Sequence, residues 1–131
     1  MSSTIPTNFL DLFERKSFAH LATVMPNGSP QVSPVWVDFD GTFVLINSEN
    51  GRQKDKNMRR DAHVAVEIHD PDDPYRYLLV RGKVEEITLS GASEHIDKLA
   101  MRYTGAKYVW RNPNSPRVLY KIRPMHVSTS R

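Results

Sequence analysis

Five basic residues fall within nine positions, Arg52, Lys54, Lys56, Arg59 and Arg60, directly after Asn47-Ser48-Glu49-Asn50-Gly51. Guanidinium and ammonium groups at this density suit a phosphate or carboxylate. The preceding run, Phe43-Val44-Leu45-Ile46, reads as a strand entering a polar turn. Beyond Asn50 the chain lacks Pro, and its Arg, Gln, Lys and Met residues favour a helix. Strand, turn and short basic helix together would set unpartnered first-turn N–H groups and the positive end of a helix dipole beside these cations. The same pattern also describes a solvated helix face. Taken alone, the cluster leaves both readings open.

The rest of the chain supplies no competing chemistry. It has no G-x-G-x-x-G, no P-loop, no G-x-S-x-G elbow and no His-Glu-x-x-His. The histidines, His20, His63, His69, His95 and His126, have no ligand-like spacing, so they are expected to be structural or surface residues, with no metal site. Glu85 and Glu86 are neighbours in a strand and face opposite sides. Asp72 and Asp73 sit beside prolines in a loop. No catalytic side chain can be assigned. An anion site without a nucleophile or general base points to a bound cofactor that carries the reaction.

The elements that must position this site are mostly strands. Asn8 is placed to cap a short helix carrying Phe9, Leu10 and Phe13. Phe18–Val24 and Gln31–Phe39 form a hairpin around Pro26-Asn27-Gly28. Along the second strand Gln31, Ser33, Val35 and Val37 share one face, and Val32, Pro34 and Trp36 the other. Pro34 marks an edge or a bulge. Asp40-Gly41 turns into the strand that ends at Asn47. His63–His69 alternates as a strand, Asp70–Pro74 is read as a loop, and Tyr75–Ile87 is a long strand bent at Gly82. A helix from about Ala92 to Tyr103 follows, with Ser90 or Ser93 as its cap and Gly105 as its stop. Arg117–Ile122 is the last strand, closed by Pro124, with Val127 extending the pairing. Hairpins without βαβ alternation argue for a small antiparallel barrel.

With 131 residues the chain fits one domain, 1–131, and its net charge of +3 suits an anionic ligand. It has no cysteine, which agrees with a reducing cytoplasm. No stretch approaches the ~20 apolar residues of a membrane span, and no secretory signal is evident.

Four segments together resemble the pyridoxamine-phosphate-oxidase-like split barrels, in particular the deazaflavin-dependent reductases: FAHLATVMPNGSPQVSPVWVDFDG, INSENGRQKDKNMRRDAHVAV, YLLVRGKVEEI and RVLYKIRPMHV. The most specific element is R-x-K-x-x-N with two following arginines: Arg52, Lys54, Asn57, Arg59 and Arg60. The resemblance implies a mainly β fold with short helices, a six-stranded antiparallel split β-barrel of the flavin-mononucleotide-binding type. It implies that Arg52 and Lys54 bind a cofactor phosphate, assisted by Asn47 and Ser48, with Asn57 holding Lys54 or a ribityl hydroxyl. Gln31, Ser33, Pro34 and Trp36 would border the flat ring, and Tyr77 would reach it from the strand after the Asp-Pro loop. It also implies a twofold homodimer.

Two cofactors fit that pattern. Flavin mononucleotide (FMN) ends at its phosphate, whereas coenzyme F420 adds an anionic lactyl-oligoglutamate tail. Arg52, Lys56, Arg59 and Arg60 follow the i, i+4, i+7, i+8 spacing of one helix face, which favours the longer ligand. The R-x-H element of true pyridoxamine phosphate oxidases is missing, since Arg123 and His126 are three apart. The expected function is therefore transfer of hydride from reduced F420 to an electron-poor small molecule such as an enone. The proton donor is solvent or a nearby Tyr. The alternatives are an FMN-dependent oxidoreductase, a non-catalytic cofactor carrier, or a nucleic-acid-binding barrel using the basic helix with Arg111, Arg117, Lys121 and Arg123. The last lacks closely set aromatic stacking pairs on its strands.

Overall fold

The structure is a computed structural model that describes residues 3–130. Among these, seven antiparallel strands form one sheet: β1 (Ala19–Val24), β2 (Pro30–Val35), β3 (Asp38–Phe39), β4 (Val44–Glu49), β5 (His63–Asp70), β6 (Asp73–Thr88) and β7 (Arg117–Thr129). Their order across the sheet is β2-β1-β5-β6-β7-β4-β3. The two edge strands, β2 and β3, are joined by just Trp36 and Val37. In a flat sheet, six spacings of about 4.8 Å would hold those edges about 29 Å apart. Three Cα steps span at most about 11 Å. The sheet must therefore curl until its edges meet, and it does so as a split barrel.

This crossing corrects the expected six strands to seven. The run Gln31–Phe39 does not stay with one partner: Val35 still pairs with Ala19 of β1, while Asp38 pairs with Leu45 of β4. Pro34 lies opposite His20 on edge strand β2, where a missing N–H costs no ladder bond on the open side. The barrel interior holds alternate residues of the strands, including Leu21, Ile46, Val66, Ile68, Leu78 and Ile122, together with Val37 from the link.

Several local expectations also change. The N-terminal helix is a 3-10 helix over Thr7–Phe13 that contains Asn8 and is preceded by Pro6, with no side-chain cap. Its three-residue turn stacks Phe9 over Leu12, so Leu12 is fully buried in addition to Phe9 and Phe13, and Leu10 packs against the core part-buried, as expected. Asp70–Pro74 is a two-residue turn, because Oδ1 of Asp70 accepts from the Asp72 N–H at 2.8 Å and lets β6 begin at Asp73. Helix α1 spans Gln53–Arg60 and helix α2 spans Ala92–Thr104. The α2 cap is Gly91 at φ 76°, not a serine, and Gly105 ends the helix as expected.

Pro124 does not close β7, which runs on to Thr129. It pairs with Gly82 at a register shift between Arg81 and Gly82, and β6 bends there as expected. A Cβ on Gly82 would stand 2.5 Å from the Arg123 carbonyl oxygen. Glycine on one strand and proline on the other thus share one bulge. No helix among the described residues is long and apolar enough to cross a membrane.

Candidate functional site

A cleft of about 260 Å³ opens where β2 crosses toward β3, beside the start of α1 and under the segment that links α2 to β7. It brings together six of the residues singled out in the sequence: Pro34, Trp36, Asn47, Ser48, Arg52 and Lys54. Each owes its position to local structure. Asn47 and Ser48 lie near the end of a strand whose Val44 and Ile46 are buried in the barrel, and Gly51 at φ 90° turns the chain. Arg52 then stands at the N-cap of α1, with no side-chain cap bond of its own. The first-turn N–H groups of α1 therefore lack a side-chain acceptor at this end. Asp55 braces the turn from within the helix: its Oδ2 accepts from the Gly51 N–H at 2.9 Å.

One end of the cleft is cationic. Lys54 makes no hydrogen bond or ion pair with any described residue. Its pKa is lowered, first by burial and then by the like charges of Arg52 and Arg117. Glu49 is the counter-charge present, 3.6 Å from both Arg52 and Arg117. Three half-buried or clefted cations facing one carboxylate leave an excess of positive charge that a bound anion would neutralise.

The other wall is aromatic. Trp36 stacks on Tyr103 with centroids 5.0 Å apart and meets Tyr108 edge-on at 6.5 Å. Tyr108 meets Trp110 edge-on, and the Arg117 guanidinium lies 4.8 Å over the Tyr108 ring. Trp110 and Phe18 remain exposed despite their size. A flat ring system fits such a wall, and cations at one end suit a phosphate. The residues present therefore fit a flavin-type group.

Beneath the cleft runs a buried polar chain that the sequence reading did not find. Arg117 only donates, so its Nε bond of 2.9 Å fixes Oδ1 of Asn47 as the acceptor. The Asn47 amide nitrogen then donates to the Ala92 carbonyl at 2.9 Å and to Nδ1 of His95 at 3.1 Å. A neutral His95 that accepts at Nδ1 carries its proton on Nε2, which donates to Asp38 at 3.1 Å. Arg102 and Lys98 also bond Asp38. Burial alone would raise the Asp38 pKa, but the bonds from His95, Arg102 and Lys98 prevail and hold it well below the usual carboxylate range. His95 is thus a buried structural histidine, as expected.

Gln31, Ser33, Asn57 and Tyr77 do not line this cleft. Gln31 and Ser33 lie on the face of β2 opposite Pro34, further from the crossing than Val35. Gln31 accepts from the Thr23 hydroxyl at 2.8 Å. Asn57 is fully buried; it donates to Thr23 at 3.0 Å and accepts from Gln53 at 2.8 Å, so it fastens α1 to β1. Tyr77 lies on β6 opposite His69, with β5 and β1 between it and β2. The expected four-residue basic face is also shorter. Arg59 pairs with Asp55 at 3.0 Å, and Arg60 bonds the Val24 carbonyl and Asn57, whereas Lys56 stays exposed. Arg117 entered the sequence reading only as part of a nucleic-acid alternative. Its register opposite Glu49 is a long-range strand pairing that spacing along the chain does not reveal.

Known proteins agree with this architecture. A family model described as pyridoxamine 5'-phosphate oxidase matches residues 5–131. A solved structure named F420 reductase is 38% identical over 95% of this chain and 98% of its own, with a TM-score of 0.84. A conserved hypothetical protein from Mycobacterium tuberculosis is 23% identical, covering 98% of this chain and 85% of its own, with a TM-score of 0.75. HupZ from Group A Streptococcus is 21% identical, covering 96% of this chain and 94% of its own, with a TM-score of 0.72. These last two share the fold. With seven strands curled into a split barrel and a cationic, aromatic cleft where its edges meet, the chain belongs to the pyridoxamine 5'-phosphate oxidase-like family of flavin-type oxidoreductases, on the branch that includes the F420 reductase.

Proposed function

We propose that this protein uses reduced coenzyme F420 to pass hydride to an electron-poor small molecule such as an enone. The observation that carries this reading is the unpartnered, half-buried Lys54 beside Arg52 and Arg117, at the end of a cleft walled by Trp36 and Tyr108. The bound coenzyme supplies the hydride. Arg52, Lys54 and the first-turn N–H groups of α1 hold its phosphate, and Ser48 and Asn47 assist from the end of β4. Pro34 and Trp36 border the ring, while Asn57 keeps α1 at a fixed height over β1. Arg52 and exposed Lys56 remain to attract an anionic tail. Trp36, Tyr108 and Trp110 exclude water from the acceptor's side of the ring. We further propose a twofold homodimer in the cytoplasm, in which Tyr77 serves the partner's cleft.

A second reading, an FMN-dependent oxidoreductase of the same fold, gains from one observation. Arg59 and Arg60 are occupied within the chain, so less charge is free for a tail. Equilibrium binding of the purified protein to F420 and to FMN separates the two. Tighter binding of F420, followed by enone-dependent reoxidation of the reduced coenzyme, is the expected result. Tight FMN binding with no measurable affinity for F420 would sink the leading reading.

A further inference from the structure

Three side chains meet on the outer face of the sheet, away from the cleft lining: His20 on β1, and Glu67 and His69 on β5. His20 and Glu67 are register partners across the strand pair, and His69 follows Glu67 by two residues, so all three project from one face. Nδ1 of His20 is 2.9 Å from Oε1 of Glu67. Nδ1 of His69 is 3.2 Å from that same oxygen and 3.1 Å from Oε2. The two imidazoles lie nearly parallel, with an interplanar angle of 15° and centroids 5.7 Å apart. One donor atom from each residue can be chosen so that all three lie within 4.8 Å of one another.

We propose that His20, Glu67 and His69 bind a single divalent cation of the borderline class, such as zinc, cobalt or nickel. Two imidazole nitrogens and one carboxylate oxygen are the donor set that such ions select, and calcium or magnesium would require more oxygens. A tetrahedral ion with bonds of ~2.0–2.1 Å sets its ligand atoms about 3.3 Å apart. Both nitrogen–oxygen separations are already close to that. Small rotations of the partly exposed rings would bring the nitrogens into range, leaving the fourth position to water.

Charge points the same way. The other register partners of the three residues are Pro34, Leu79 and Tyr77, so no cation lies directly across from Glu67. The ligands come from neighbouring strands, which is why the histidines show no ligand-like spacing in the sequence. The proposal is independent of what occupies the cleft.

Isothermal titration of the chelator-stripped full chain with zinc chloride tests it, with visible absorption of the cobalt-loaded protein reporting the ligand set. One equivalent should bind saturably. His20→Asn, Glu67→Gln and His69→Asn should each weaken binding at least tenfold and alter the cobalt bands. His63→Asn, which removes the histidine paired with Asp61, should leave both unchanged. Melting of each variant without metal confirms that the fold is retained. Absence of saturable binding up to millimolar zinc would overturn the proposal. So would affinity equal to the parent's in the three ligand variants, or loss of binding in His63→Asn alone.

Discussion

Oδ1 of Asn47 accepts a hydrogen bond from Nε of Arg117 at 2.9 Å, diagonally across the β4–β7 pair. This one contact ties the cationic end of the cleft to the buried chain through His95 and Asp38, because the same amide donates to His95. Arg117 otherwise has Glu49 at 3.6 Å and Tyr108, whose hydroxyl accepts from it at 3.3 Å and whose ring lies 4.8 Å away. A guanidinium is thus held by three neighbours of different kinds at the mouth of the site.

Arg117→Met should weaken cofactor binding by about 1.5–3 kcal/mol, the scale of a hydrogen bond to a charged group. Asn47→Leu should give a smaller binding loss. It should cost more stability, since Nδ1 of His95 and the Ala92 carbonyl then lose a buried donor. Titration calorimetry and urea denaturation of both variants separate the two effects. Equal losses of binding and stability in both variants would contradict this division.

Lys54 offers a sharper test of the proposed phosphate site. Its pKa is lowered in the folded chain, by burial first and then by Arg52 and Arg117. A lowered lysine pKa means that the charge costs stability below the folded value, and that the cost fades as pH rises toward the unfolded value. Lys54→Met should therefore melt no lower than the parent at neutral pH. It should nevertheless bind the cofactor more weakly by about 1.5–3 kcal/mol. A variant that melts lower yet binds normally would show that the lysine serves the fold and not the ligand.

How much of this was legible in the sequence follows from how local each signal is. The turn glycines, the alternation of β5 and the strand-turn-helix around Gly51 are short-range patterns, and they appear where expected. The split of Gln31–Phe39 into β2 and β3 is not local: Val35 and Asp38 change partners because the sheet curls, and no periodicity announces that. Pro124 misled for a related reason. A proline normally stops a strand, but here it faces a glycine on a strand more than forty positions earlier. The cleft was half visible. Arg52 and Lys54 lie within one motif, whereas Arg117, His95 and Asp38 reach the site through pairings between distant segments.

Gly82→Ala tests the shared bulge. The added methyl would stand 2.5 Å from the Arg123 carbonyl oxygen and 2.8 Å from Cγ2 of Ile122, and backbone cannot swing aside as a flexible side chain can. A loss of about 1–3 kcal/mol is expected, the range for overpacking a close-packed site. Pro124→Ala should cost far less, because nothing in the bulge requires the ring. Urea midpoints of the two variants check this, and a larger loss in Pro124→Ala would reverse the assignment of which residue makes the bulge possible.

Asp38 should govern much of the acid response of the region under the cleft. Its pKa lies far below the ordinary value of 3.8 because bonds from His95, Arg102 and Lys98 outweigh its burial. A carboxylate depressed in the folded state adds stability that is complete above its unfolded pKa, and that is lost as pH falls toward and through the folded value. Asp38→Asn removes the charge while keeping the shape, and leaves Arg102 facing a neutral partner. At pH 7 it should cost roughly 3–5 kcal/mol, the scale for removing one member of a buried ion pair. Below about pH 4 the parent starts to lose the same contribution, so the two urea midpoints should converge on acidification. Asp11, Asp70 and Glu85 also have lowered pKa values, but they are present in both proteins and cancel in the difference. A gap between parent and variant that stays constant from pH 7 to pH 3 would show that Asp38 acts there through its shape and not its charge.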